Sequence, residues 1–287
     1  VAQGKAWSGT APAKVNLYLH VVGKRADGYH LLDSLVVFAD VGDRLTLEPA
    51  EAPHLTVTGP FAAAIPPGDD NLALRAVRRL AAAVGRPDGI AVTLDKRLPV
   101  AAGIGGGSAD AAAVLRGLAV LWDLVPDNPR LLEVAAGLGA DVPVCLAGRT
   151  AWLGGVGERL EPGPDLAGVP ILLVNPGVPL STPDVFRARS GGFSAEARFA
   201  EARPTLEQLC ALLAGRGNDL AAPAESLVPV IGDVLAALTA QPGCRLARMS
   251  GSGATCFGLF DSPAAAQAAE AALAGRGGWW AAAATLL

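Results

Sequence analysis

Residues 98–113 read LPVAAGIGGGSADAAA. Four of the five positions from 103 to 107 are glycine: Gly103, Gly105, Gly106 and Gly107. Ser108 then opens a helical pattern. Glycine reaches backbone dihedrals closed to other residues and lets the main chain approach a ligand closely. A helix start offers unpaired N–H groups and the positive end of the helix dipole. Together these make a phosphate cradle that needs no basic side chain. A plain strand-to-helix connection needs only one glycine, so four argue for a ligand. Two familiar cradles do not fit. A Walker loop ends G-K-[ST], and the Gly-Lys pairs here, Gly4-Lys5 and Gly23-Lys24, are followed by Ala6 and Arg25. A dinucleotide fingerprint, G-x-G-x-x-G, would place its third glycine on Ser108, behind a β-rich start.

Other residues could act beside such a cradle. Of 23 basic residues four are lysine: Lys5, Lys14, Lys24 and Lys96. Lys14 stands in PAKVNLYL among small and apolar neighbours, although strand edges also carry lysine into solvent. Asn16 is two residues on and so shares its face of the strand. Asp141 lies in GLGADVPVCL, and a carboxylate among Leu138, Val142, Val144 and Leu146 calls for a partner. Helix capping or a salt bridge would meet that need as well as a role in chemistry. The four cysteines form no C-x-x-C pair, and His20, His30 and His54 do not join them at zinc spacing. The cysteines are expected to be buried free thiols, and no protein metal cage is expected.

These residues need a scaffold. The chain has 287 residues, enough for two domains. Its 51% apolar and 17% charged content excludes a disordered chain. A net charge of −4 excludes a general nucleic-acid-binding surface. No leader pattern or membrane-length apolar run is seen, so the expectation is a soluble cytoplasmic protein. Strands are expected at 14–22, 31–38, 44–48, 54–58, 90–94, 171–174, 245–249 and 256–260. Helical periods cover 71–84, 108–122, 128–138, 205–213, 227–239 and 263–274, the last capped by Ser262. Glycines and prolines thicken over 154–170, which places a domain boundary there. The mixture indicates an α+β fold.

The chain resembles the GHMP kinases, a superfamily of small-molecule kinases. Residues 99–112, PVAAGIGGGSADAA, are similar to its motif P-x-x-x-G-L-G-G-G-S-S-D-A-A, with Ile104 for Leu and Ala109 for the second Ser. Residues 11–16 (APAKVN) resemble its first motif and 250–255 (SGSGAT) its third. The resemblance implies two domains. Residues 1–158 would form a β-rich ATP-binding domain like ribosomal S5 domain 2, and 159–287 a substrate domain of α/β-plait type. Four further stretches narrow it: 14–34 with R-x-D-G-Y-H at 25–30, GADVPV at 139–144, NPGVPLSTPDVF at 175–186, and GND at 217–219. They resemble the branch that phosphorylates the 2-hydroxyl of 4-diphosphocytidyl-2-C-methyl-D-erythritol in the non-mevalonate isoprenoid precursor pathway. The alternative is a homoserine- or mevalonate-type kinase, which gives no reason for R-x-D-G-Y-H.

The resemblance implies ATP with Mg²⁺ and a small-molecule substrate, the cytidine-diphosphate-linked methylerythritol. It implies no nucleic acid and no membrane, and a monomer or homodimer. Asp141 would be the general base and Lys14 its neighbour. ATP would lie against Pro99, Ala101, Ala102, Gly103, Gly105, Gly106, Gly107 and Ser108, with Asn71 and Lys96 at the adenine. Substrate would meet Asn16, Thr182 and the amides of Gly251, Ser252 and Gly253. Tyr29 and Phe186 would sandwich the cytosine while His30 reads its edge. Gly106→Val is expected to block close approach of the phosphates.

Overall fold

The computed structural model describes residues 5–66, 68, 70–125 and 128–287. It opens with β1 (Trp7–Lys24), β2 (His30–Pro49), β3 (His54–Thr58), α1 (Leu72–Val84) and β4 (Ile90–Asp95). Three helices follow, α2 (Gly106–Leu121), α3 (Pro129–Leu138) and α4 (Val142–Ala147), then β5 (Ala151–Gly155), β6 (Arg159–Pro162) and β7 (Pro170–Asn175). Next come α5 (Thr182–Ala188), α6 (Leu206–Ala214), α7 (Ala221–Leu227) and α8 (Val230–Thr239). The chain ends with β8 (Cys244–Met249), β9 (Cys256–Phe260), α9 (Pro263–Leu273) and β10 (Trp280–Thr285). This is the expected α+β mixture. No helix among the described residues is long and apolar enough to cross a membrane.

Helix ends are set by local chemistry. Asn71 caps α1 through Oδ1, which accepts from Ala73 N, and Gly85 ends it in the left-handed region at φ 67°. Thr205 and Gln208 form a reciprocal capping box on α6. Ser262 caps α9, as its sequence indicates, with Pro263 in the first turn.

The chain gathers into two compact units, and neither is one continuous stretch. The first holds the chain up to Ala13, Gly42–Val100 and Gly105–Gly148. The second holds Lys14–Val41, Ala101–Ile104 and Arg149–Leu287. The boundary expected at 158 to 159 lies between β5 and β6, both in the second unit.

In the first unit, Arg44 to Pro49 of β2 pair antiparallel with β4, and β3 joins β4 in parallel. α1 packs on α2. Leu74, Val77 and Leu80 of α1 are buried, as are Val114, Leu115 and Leu118 of α2 and Leu45, Leu47, Val92 and Leu94 of the strands. In the second unit, Leu32 to Val36 of β2 pair with β5, which pairs with β6. A separate antiparallel sheet runs β10-β7-β9-β8. Helices α8 and α9 pack on it, and Leu172, Val174, Ile231, Val234 and Phe260 share a core with Leu19 and Val21 of β1.

Several expectations change. The strands at 31–38 and 44–48 are one strand, β2. The helix expected at 227–239 is α8, which starts only at Val230: Leu227 ends α7, and Val228 at φ −136° and ψ 80° precedes Pro229. The residue before proline is pushed out of the helical region. Helix α2 starts at Gly106, two residues before Ser108. All four thiols are free, but only Cys145 and Cys256 are buried; Cys210 and Cys244 are half-buried.

Candidate active site

Within the second glycine motif, residues 101–104 belong to the second unit, where they pack against the third motif. Gly103 has φ 72°, and a Cβ there would stand 2.5 Å from Gly253 O and 2.7 Å from both Gly253 N and Ser250 O. Gly251 has φ 56°, and its Cβ would stand 2.8 Å from Gly103 O. Only hydrogen fits at either place. Thr255 N donates to Ala102 O at 3.1 Å and the Ser250 hydroxyl to Gly103 O at 3.3 Å. The two glycine-rich segments are thus one interlocked piece of backbone. Pro99 and Ala102 are buried, while Ala101 is exposed and held left-handed at φ 53°. For alanine that conformation costs roughly 1–2 kcal/mol.

Polar residues of the second unit gather around this piece. Lys14 is 5% exposed, and its main-chain N–H donates to Ile104 O at 3.1 Å. The alternative of a solvated strand edge is therefore ruled out. Asn16 N donates to the Ser250 hydroxyl at 3.1 Å, and Asn16 Nδ2 to the Ser34 hydroxyl at 2.8 Å. Asn16 Oδ1 is buried without a hydrogen-bond partner, 3.4 Å from where a Gly251 Cβ would stand. An unmet buried acceptor costs about 1–3 kcal/mol, which a ligand donor would offset. Thr182 and Ser252 bring their hydroxyls to 2.6 Å. The His30 and Phe186 rings stack, with centroids 5.0 Å apart and planes at 20°. Burial, then the charges of Lys24 and Arg189, lower the pKa of His30, so the imidazole is neutral at pH 7. Tyr29 stands apart from this stack on the Asp27-Gly28 turn, 65% exposed. The ring sharing a face with Phe186 is that of His30.

In the first unit, α2 starts at Gly106 with Gly105 left-handed before it at φ 65°. The first amides of a helix have no intrahelical partners. Gly107 is exposed, with Gly106 and Ser108 half-buried. Beneath this start lies a buried cluster of charges. Lys96 Nζ donates to Asp43 Oδ2 at 2.6 Å and to Asp110 Oδ2 at 2.8 Å. Asp43 Oδ1 accepts from the backbone of Arg97 at 2.6 Å and of Leu98 at 2.8 Å. Burial pushes Asp110 up to about 7, with Lys96 pulling the other way. Burial lowers the pKa of Lys96, but Asp110 and then Asp43 outweigh it and the net shift is upward. The ammonium is thus committed to two carboxylates under the loop and is not turned to an adenine. A Cβ on Gly106 would stand 3.1 Å from Lys96 Nζ. Gly106→Val would therefore press on this ion cluster.

Asn71 is half-buried with Oδ1 spent on capping α1. Asp141 is half-buried at the start of α4, and its side chain does not cap that helix. Asp43 went unrecognised in the sequence: it lies 53 residues from Lys96 and no local pattern links them. Among the described residues no group of three or more His, Cys, Asp or Glu could hold a metal ion.

The description "GHMP kinases N terminal domain" matches residues 71–149, and "GHMP kinases C terminal" matches 197–277. A protein of Paramagnetospirillum magneticum named 4-diphosphocytidyl-2-C-methyl-D-erythritol kinase is 58% identical over 278 residues, 96% of this chain and 97% of the relative. The chain belongs to the GHMP kinase family. It is a small-molecule, ATP-dependent kinase. A Rhodospirillum rubrum protein of the same name is 53% identical, over 96% of this chain and 91% of its own. A crystal structure of 4-(cytidine 5'-diphospho)-2C-methyl-D-erythritol kinase superposes with a TM-score of 0.77 at 40% identity, covering 98% of this chain and 99% of the other. Homoserine kinase from Cytophaga hutchinsonii, at 20% identity and TM-score 0.69 over 100% and 96%, shares the fold.

Proposed function

We propose that this kinase transfers the γ-phosphoryl group of ATP to the 2-hydroxyl of 4-diphosphocytidyl-2-C-methyl-D-erythritol, in the cytoplasm. The observation that carries the reading is the 58% identity to a kinase of that name, spread over 96% of the chain. The arrangement of the second unit supports it. A stacked His30–Phe186 pair offers an aromatic platform for a base, and a neutral imidazole has one donor and one acceptor for its edge. Asn16 Oδ1 offers an unmet acceptor beside the third glycine turn.

The reaction asks for positioning and charge neutralisation more than for covalent chemistry. The amides at the start of α2 cradle the ATP phosphates, and the third turn holds the substrate's diphosphate. Asp141 takes the proton of the attacking hydroxyl as its oxygen bonds the γ-phosphorus and the bond to ADP breaks. Lys14 steadies the negative charge of the reacting oxygens. Magnesium suits a donor set with one hydroxyl, Ser108, since this ion keeps phosphate oxygens and water as its other ligands.

A coupled assay across alcohols tests the reading. Turnover is expected on the diphosphocytidyl substrate; turnover only on homoserine or mevalonate would sink it. Asp141→Asn is expected to lose kcat by at least about 100-fold while ATP binding measured by calorimetry survives. Near-normal kcat would remove Asp141 from the proton transfer.

A further inference from the structure

The segment Gly217-Asn218-Asp219 runs beside β1. Leu19 N donates to Gly217 O at 3.0 Å and Asp219 N to Leu19 O at 2.9 Å. The Asp219 carboxylate accepts from Val21 N at 2.7 Å and from the Ser194 hydroxyl at 3.1 Å. The backbone of the segment is therefore fixed without help from the Asn218 side chain. That side chain reaches across to the third glycine turn. Asn218 Nδ2 donates to Met249 O at 2.9 Å and to Gly251 O at 2.8 Å, while its Oδ1 accepts from Leu220 N at 2.9 Å. Both amide hydrogens are spent on the two carbonyls that bracket Ser250.

The contact to Gly251 has a geometric consequence. A trans peptide is planar, so the carbonyl of residue 251 and the N–H of residue 252 point in opposite directions. Holding Gly251 O against Asn218 aims the Ser252 N–H away from it. The remaining bonds of the turn, from Ser250 N, Gly253 N and Thr255 N, leave this peptide plane alone. Gly251, left-handed at φ 56°, would otherwise let it rotate easily.

We infer that Asn218 is a positioning residue that aims the Ser252 amide at an anionic oxygen of the substrate's diphosphate. This rests on the reading given under Proposed function. Asn218→Asp is the informative variant. It keeps the volume and the Oδ1 acceptor for Leu220, but replaces the two donors with an oxygen facing two carbonyls. Steady-state kinetics of Asn218→Asp and Asn218→Ala are expected to show the substrate KM raised about ten-fold or more, with the ATP KM within about two-fold. Asn218→Asp is expected to be at least as impaired as Asn218→Ala. Wild-type kinetics in Asn218→Asp, or an equal rise in both KM values, would overturn the inference. Should both variants fail to fold, amide exchange on the wild type decides: the diphosphocytidyl substrate is expected to protect the Ser252 N–H, and an unchanged rate overturns the inference. Wild-type enzyme silent on this substrate overturns the functional reading. Wild-type turnover with an unaffected Asn218→Asp overturns the role of Asn218 alone.

Discussion

Lys96 and the carboxyl groups of Asp43 and Asp110 that share it are buried together under the start of α2. Removing the cation should cost more than the pair is worth, because it leaves two buried carboxyl groups without the cation they share. Lys96→Met is expected to lose about 3–5 kcal/mol of stability in urea unfolding; a loss under about 1 kcal/mol would mean the cluster is well hydrated. The cluster also predicts a pH dependence. Asp110 is raised from 3.8 to about 7 in the folded protein. Between those values the native state keeps a proton that the unfolded chain has lost. Stability from this group is therefore present at low pH and lost as pH rises through about 7. Asp110→Asn cannot titrate, so wild type should lose stability relative to it between about pH 4 and pH 7 and level off above that. A constant gap would refute the shift. The rarity of lysine singled out Lys96 in the sequence, yet its role was not legible, since Asp43 is 53 residues away and Asp110 14, and no local pattern links the three.

At the scale of elements, the glycine motifs were legible and their contact was not. Strand–turn–strand around 250–255 and the glycine run at 103–107 were both visible, but nothing in either says that Gly103 lies on Gly253. The contact sets two glycines apart. At Gly103 a methyl would meet backbone at 2.5 Å, whereas at Gly192 nothing lies within 4 Å and φ is not left-handed. Gly103→Ala is expected to lose at least about 2 kcal/mol and to impair both substrates, as interlocked loops require. Gly192→Ala should stay within about 1 kcal/mol of wild type, on the stabilising side. Equal thermal stability of the two variants would contradict the interlocking. The misreading of β2 has a similar cause. Residues 39–43, ADVGD, look like a turn, but Gly42 is there because a Cβ would stand 2.3 Å from Ala11 O. Asp43 is there because its carboxylate turns inward to Lys96 and two backbone amides. Polar and glycine residues in a strand marked close packing and buried chemistry, the two things that composition mistakes for a loop.

At the scale of the molecule, the sequence suggested two consecutive domains while the chain forms two units that exchange segments. The difference arises because contacts with residues 14–41 come from far down the chain. Gly217 and Asp219 bond to Leu19, Ser194 N donates to Val21 O, and Leu287 N donates to Phe38 O at 2.9 Å. Arg248 donates to Leu17 O at 2.7 Å. Such pairings between residues 170 to 250 positions apart leave no periodic or compositional trace. They make a prediction about dissection. A fragment of residues 1–158 keeps Lys14, Asp141 and both halves of the glycine run, yet it strips β1 and β2 of every one of these partners. It also removes β6 from β5 and exposes Leu19 and Val21, which belong to the core built by α8, α9 and the four-stranded sheet. Apolar surface of that kind, beside unpaired strand edges, favours aggregation over folding. The fragment is therefore expected to be insoluble or to lack a cooperative unfolding transition. Mixing it with residues 159–287 during refolding should restore kinase turnover. A fragment that melts cooperatively on its own would show that residues 14–41 need none of their distant partners, and the chain would then divide into two consecutive domains as its sequence suggested.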